Sequence, residues 1–309
     1  MSHDRALLRW AVRWALSPLL LAWTGGCIAW GLVHPEDLKV VLAVKAGVMV
    51  SLLLLLEQLV PYERRWGMTW RHLWRRDLVF IALNGATLAL FGWGLAALSI
   101  DVAAESQGVA ATWPLGVQVV VGLLAFEALQ YSTHWIMHRG RGPLGNFLWR
   151  THAIHHLPQQ LYVVMHAVFH PFNGIVIRLV VQLLPVALLG YSPQAAFVIG
   201  SIIALQGTIS HLNLDMRAGW LNYVLVGPEL HRYHHSAEGQ NAANLGSTLA
   251  IFDLVFGTFE YRPGVPPRAL GLREEDGYPG QHAPLQSALF PLSLRPVELM
   301  ASSQSRTPP

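Results

Sequence analysis

The chain has 309 residues, of which 53% are hydrophobic and only 13% charged. Soluble domains carry about 25% charged residues, so this composition excludes an ordinary soluble globule and points to a membrane protein. A net charge of +3 with localised arginines argues against a nucleic-acid surface, and the single cysteine, Cys27, excludes an internal disulfide or a thiolate cluster.

A spanning helix needs about 20 mostly apolar residues. Runs of that kind predict spans at Trp14–Val33, Leu38–Val60, Leu78–Ile100 and Leu115–Thr133. A further apolar region, Ile175–Ser210, is interrupted by Pro185, Gly190 and Pro193. It reads as two shorter helices folded around "GYSP", or as a pair that enters the bilayer without fully crossing. The first run follows Arg5, Arg9 and Arg13 with no small-residue cleavage site, so it reads as a retained helix rather than a signal peptide.

Arginines set the expected orientation. "YERRWGMTWRHLWRRD" carries Arg64, Arg65, Arg71, Arg75 and Arg76, whereas "DVAAESQGVAATWP" has neither Lys nor Arg. The positive-inside rule then puts both termini and residues 61–77 in the cytoplasm. The segments from His134 to Asn173 and from His211 onward follow on the same side. Lys45, Glu57 and Glu127 interrupt the apolar runs; their plainer reading is structural, with Glu57 reaching for the interface. From Arg262 the chain is rich in Pro, Gly and charge, and reads as a cytoplasmic extension that becomes disordered.

The compositional outlier is fifteen histidines. "HWIMH" places His134 and His138 four apart, "HAIHH" gives His152, His155 and His156, "HLN" supplies His211, and "HRYHH" gives His231, His234 and His235. On a helix, positions i and i+4 share a face while adjacent positions diverge by about 100°. An adjacent pair can therefore serve two different metal ions. Nine imidazoles exceed the capacity of one ion, but two six-coordinate ions would use them and keep positions open. Protonated histidines at this density would repel, so the set makes sense as neutral ligands.

Imidazole suits Zn, Cu, Fe and Ni alike. A site where membrane meets cytoplasm, within reach of apolar substrates and soluble electron carriers, favours oxygen chemistry on lipids and hence a redox metal. The rival readings are a histidine-liganded zinc enzyme and a non-redox metal-binding membrane protein. A transporter would place its ligands at mid-membrane depth, and haem would use only one or two of these histidines.

The order of these boxes resembles the fatty acid hydroxylase superfamily, which includes the sterol desaturases. The resemblance rests on His134 and His138 followed by Arg139, on "LWRTHAIHH", on His170–Pro171 in "VFHPFN", and on His211 with Asn213. It continues through His231, His234 and His235 to Asn244, Gly246 and "FDLVFGT". It covers roughly Glu127 to Glu260, and the upstream "EQLVPYERRW" and "RRDLVFIALNG" are similar to bacterial members. Leu254 departs from it, at a position where members often carry a basic residue.

The resemblance implies two iron ions held by histidines, O2 as co-substrate, and hydroxylation or desaturation of a C–H bond in a lipid or sterol-like substrate. It adds His170, as ligand or orienter, to the nine histidines above. His166 is expected to be structural, His72 to lie at the surface, and His3, His34 and His282 to have no role. Asp253, Asn213 and Asn244 are expected to fix imidazole N–H groups, as partners of metal-ligating histidines do. No haem-binding electron-transfer module is fused to the chain, so electrons are expected from a separate ferredoxin- or cytochrome b5-like protein.

The expected fold is all-α and polytopic, with about four transmembrane helices plus a helical hairpin and a cytoplasmic histidine-rich helical cap. Its expected regions are 1–114, N-terminal transmembrane helices with the Arg-rich loop; 115–261, the catalytic region; and 262–309, the tail. The expected location is a bacterial inner membrane with the histidine boxes on the cytoplasmic side.

Overall fold

The computed structural model describes residues 3–87, 89, 108–237 and 243–293. Among these the chain is helical, and its only β pairings are two isolated bridges, Leu225 with Leu249 and Ser236 with Leu270. Helices α1 (His3–Trp14), α2 (Leu16–Val33) and α3 (Leu38–Leu59) open the chain. The arginine segment leads into α4 (70–87), whose first turns widen into a π-helix at Leu73–Asp77. The rest of the expected third span, apart from residue 89, lies outside the described residues.

Next come α5 (Leu115–Arg139), α6 (Gly142–His156), α7 (Pro171–Leu189) and α8 (Pro193–Ser210). Three short helices follow: α9 (Pro228–His234), α10 (Ile251–Phe256) and α11 (Pro284–Leu289).

Among the described residues, five helices are long and apolar enough to cross a membrane: Leu16–Val33, Pro35–Leu59, Leu115–Arg139, Pro171–Leu189 and Pro193–Ser210. The chain is an all-α polytopic membrane protein. The expected hairpin is α7 and α8, each of spanning length, and it turns at Gly190 with φ of 58°, which glycine adopts without penalty. In α5, Gly122 lets α8 come close: a Cβ there would stand 2.4 Å from Ile199. Small residues do this at membrane helix crossings, where close van der Waals packing drives association. Helix α8 also packs on α2 and α3, and their shared core joins Leu20, Met49, Leu53, Leu205 and Ile209.

Two ionisable groups of α3, Lys45 and Glu57, are structural ties. Lys45 donates to the Ser201 carbonyl at 2.7 Å, joining α3 to α8. Glu57 does not reach for the interface. It is buried and accepts from the backbone N–H groups of Val163 and Asn213 at 3.0 and 2.8 Å, satisfying donors that would otherwise be orphaned.

Residues 262–293 are packed against the body. Trp149 of α6 lies in one core with Leu272, Tyr278 and Phe290. Within this stretch, Gly271 N–H donates to the His235 carbonyl at 3.2 Å and Leu272 N–H to the His156 carbonyl at 3.1 Å. Two consecutive residues thus cap the last histidines of both HxxHH boxes, a tie that the sequence reading of this region as an extension does not contain.

Candidate metal centre

Two separate groups of imidazoles form at one end of the helical bundle. His134, His138, His152, His156 and His234 make the first; His155, His211, His231 and His235 make the second. Within each, one ring nitrogen from every residue lies within 4.8 Å of the others. The adjacent pairs split as helical geometry requires. His155 and His156 diverge from α6 into different groups, and His234 and His235 do so at the end of α9. The two boxes are used in opposite senses: α6 gives its i, i+4 pair to the first group, and α9 gives its i, i+4 pair to the second.

The partners of the other ring nitrogens fix the tautomers. Nδ1 of His134 lies 2.7 Å from the Leu245 carbonyl, Nδ1 of His155 3.0 Å from that of Val168, and Nδ1 of His234 3.1 Å from that of Ala243. A carbonyl only accepts, so each ring carries its proton on Nδ1 and leaves Nε2 a bare lone pair. His211 Nδ1 meets Ser210 Oγ at 3.0 Å, and that hydroxyl already donates to the Gly207 carbonyl, so it too accepts from the ring. His152 Nδ1 faces Asn173 Oδ1 at 3.4 Å, while the Asn173 amide nitrogen is turned to Met137.

The bare nitrogens then face one another. Nε2 of His134 and Nε2 of His152 are 2.9 Å apart, and those of His155 and His211 are 3.0 Å apart. Two lone pairs at that distance repel unless a cation lies between them. The remaining close pairs, His152 with His156, His211 with His231 and His231 with His235, are 3.0–3.1 Å apart. Two nitrogens each about 2.1 Å from one ion and at right angles lie about 3.0 Å apart, whereas a tetrahedral ion would hold them about 3.4 Å apart. The donor set fits a pair of metal ions with right-angled ligation.

Burial keeps these rings neutral. It lowers the pKa values of His152, His156, His211, His231, His234 and His235 well below the ordinary imidazole value, with neighbouring imidazoles adding to the effect. His155 is pushed down to about 3, chiefly by burial.

Carboxylates hold the surrounding backbone rather than the rings. Glu127, buried in α5, accepts from Ser247, Thr248 and Leu249 N–H at 2.7–2.9 Å. Asp253 accepts from Leu245 and Gly246 N–H at 2.7 and 2.8 Å and from Thr258 Oγ1 at 2.6 Å. Together they pin the loop whose Leu245 carbonyl takes the His134 proton. Arg232, between two box histidines, stacks on Tyr62 at 4.4 Å and donates to the carbonyls of Leu212 and Leu214, which anchors α9 beside the chain that follows His211.

Several sequence expectations change here. His170 joins neither group: its Nδ1 accepts from Phe172 N–H and its Nε2 donates to the Ala288 carbonyl, both at 3.1 Å, so it caps α7. Asp253 touches no imidazole and acts through the backbone. Asn213 pairs with the backbone of Glu63, and Asn244, at φ of 52°, pairs with Leu230 and Glu260. The asparagine that meets an imidazole is Asn173, inside the "HPFN" stretch but not singled out by sequence. His166 stays outside both groups, and His72 is partly buried, stacked between Tyr162 and His282.

A cavity of about 730 Å³ opens beside both groups, touching His134 and His152 of the first and His155, His211 and His231 of the second. One face of α8 lines it from Ser210 through Gly207, Ile203 and Gly200 to Ala196, a stretch about 21 Å long at 1.5 Å per residue.

A polytopic membrane protein with two buried imidazole groups opening on an intramembrane cavity belongs to the class of histidine-box membrane proteins. Residues 119–258 match the fatty acid hydroxylase family. Over 225 residues the chain is 33% identical to the ornithine lipid hydroxylase OlsE of Rhizobium tropici, an alignment spanning 69% of this chain and 65% of that protein. No solved structure matches the chain. Residues 119–258 thus form a region of the fatty acid hydroxylase family.

Proposed function

We propose that the protein is a membrane-bound lipid hydroxylase whose nine clustered histidines hold two iron ions. The carrying observation is the convergence of nine imidazoles in two groups that border one elongated cavity, with His134, His155, His211 and His234 held by their Nδ1 partners so that Nε2 is bare. Nitrogen spacings near 3.0 Å support right-angled ligation over tetrahedral zinc. The matched family and the hydroxylase relative support hydroxylation over desaturation.

Bound iron supplies the oxygen activation that no side chain here can perform. In the overall reaction one oxygen atom enters a substrate C–H bond and the other leaves as water. Two electrons come from a separate donor protein, accompanied by two protons. The chain's own residues hold the ligand tautomers, keep water from the buried rings and align an apolar chain along α8. We place the histidine groups on the cytoplasmic side of a bacterial inner membrane, because the arginines of 61–77 flank the same end of the bundle. Residues 115–261 form the catalytic region in this reading.

Elemental analysis of protein purified in detergent without metal-affinity steps tests the proposal. About two irons per chain, with hydroxylated lipid formed only when O2 and a reductant are both present, is the expected result. Zinc without iron, from iron-replete cells, would overturn it.

A further inference from the structure

Arg178 interrupts the most apolar part of α7, seven residues into the Pro171–Leu189 span and about 10 Å from its start. An arginine at such depth is costly and marks a substrate or ion path by default. Its surroundings agree. Arg178 lines the cavity that reaches the histidine groups, it sits in a π-helical stretch, Ile177–Leu183, and its one hydrogen bond is to Gln182 at 3.4 Å. Such widened turns occur mostly at functional sites.

No Asp or Glu among the described residues pairs with Arg178, whereas the other intramembrane cation, Lys45, is turned onto a carbonyl and fully buried. Arg178 also lies close enough to His166, another cavity-lining residue, to lower that ring's pKa after burial has done so. Arg178 is itself exposed and stands on the wall of this cavity. Opposite it, α8 presents Gly200, Ile203, Ala204 and Gly207, small and apolar residues that leave room for a chain but offer no counter-charge.

We propose that Arg178, assisted by Gln182, binds the carboxylate or phosphate of an acidic lipid substrate, so that the oxidised C–H lies near the charged end of the molecule. This rests on the hydroxylase reading for its meaning and names the substrate class within it. A guanidinium offers a planar fork of donors matched to either anion, and low surrounding dielectric strengthens that pairing.

The test uses the iron-loaded, full-length protein in detergent and measures binding apart from turnover. The probes are an N-acyl amino acid with a free carboxylate, its methyl ester, and inorganic phosphate alone. Wild-type protein is expected to bind the acid at least about tenfold more tightly than the ester. R178Q should lose that preference while keeping its iron, and R178K should retain part of it. Phosphate at equal concentration should fail to displace the acid.

Equal binding of acid and ester by wild type, or an unchanged preference in R178Q, would overturn the proposal. Displacement by phosphate as effective as by the acid would show a free-anion site and overturn the lipid assignment. If the preference holds and neither lipid is hydroxylated, the hydroxylase reading fails while the anion site stands. If both are hydroxylated equally, the anion site fails while that reading stands.

Discussion

The two imidazole groups are built from the same parts, yet they are supported differently. The five-membered group leans on a loop: His134 and His234 donate to carbonyls of residues 245 and 243, and that loop is pinned by the buried carboxylates of Glu127 and Asp253. The four-membered group leans on other segments, with His155 held by the Val168 carbonyl ahead of α7 and His211 by Ser210 at the end of α8. If each group held one six-coordinate ion, five imidazoles would leave it one open position and four would leave two. The difference teaches that tightness and openness are divided between the groups. In the proposed reading the looped group would hold its ion more firmly, and the smaller one touches the cavity with more of its members.

The largest effect is expected from removing one member of each group in turn. His155→Ala and His156→Ala are adjacent in sequence but belong to different groups. Each should reduce hydroxylation by at least about a hundredfold and lower iron from about two to about one per chain, with the two variants losing different ions by spectroscopy. Loss of the same ion in both would break the comparison.

A smaller, selective effect should follow from loosening the loop. Glu127→Gln and Asp253→Asn keep every imidazole but weaken the hold on residues 245–249. Metal titration should show one ion bound about ten- to a hundredfold more weakly and the other unchanged. Equal weakening of both would mean that the loop supports the whole centre.

The smallest effect is expected at His170. His170→Ala removes a helix cap of about 1 kcal/mol and should leave two irons per chain, with a slightly lower melting temperature. Loss of one iron would return it to the ligand set.

Much of this architecture was legible in the chain. Hydropathy runs mark the spans because a bilayer leaves a helix no other way to satisfy its backbone. Repeated HxxHH spacing announced that neighbouring histidines would part toward two sides, because a 100° step per residue is local geometry. His170 shows the limit. It resembles a box residue by order and spacing, and only the position of Ala288, 118 residues away, shows its ring to be occupied. Asn173 was invisible for the converse reason, since an asparagine near the start of a helix carries no signal until His152 arrives opposite it.

The sequence by itself determined that this is a helical membrane protein, that its histidines recur at box spacing, and that adjacent ones diverge, because composition and helical period are properties of short segments. Tertiary structure alone decided how nine imidazoles divide into five and four, which carbonyls fix their tautomers, and that residues 271–272 cap both boxes. It also decided that Arg178 stands on the wall of a cavity that reaches both groups. Those outcomes depend on contacts between residues far apart in the chain, set by how helices cross and which loops their buried carboxylates hold.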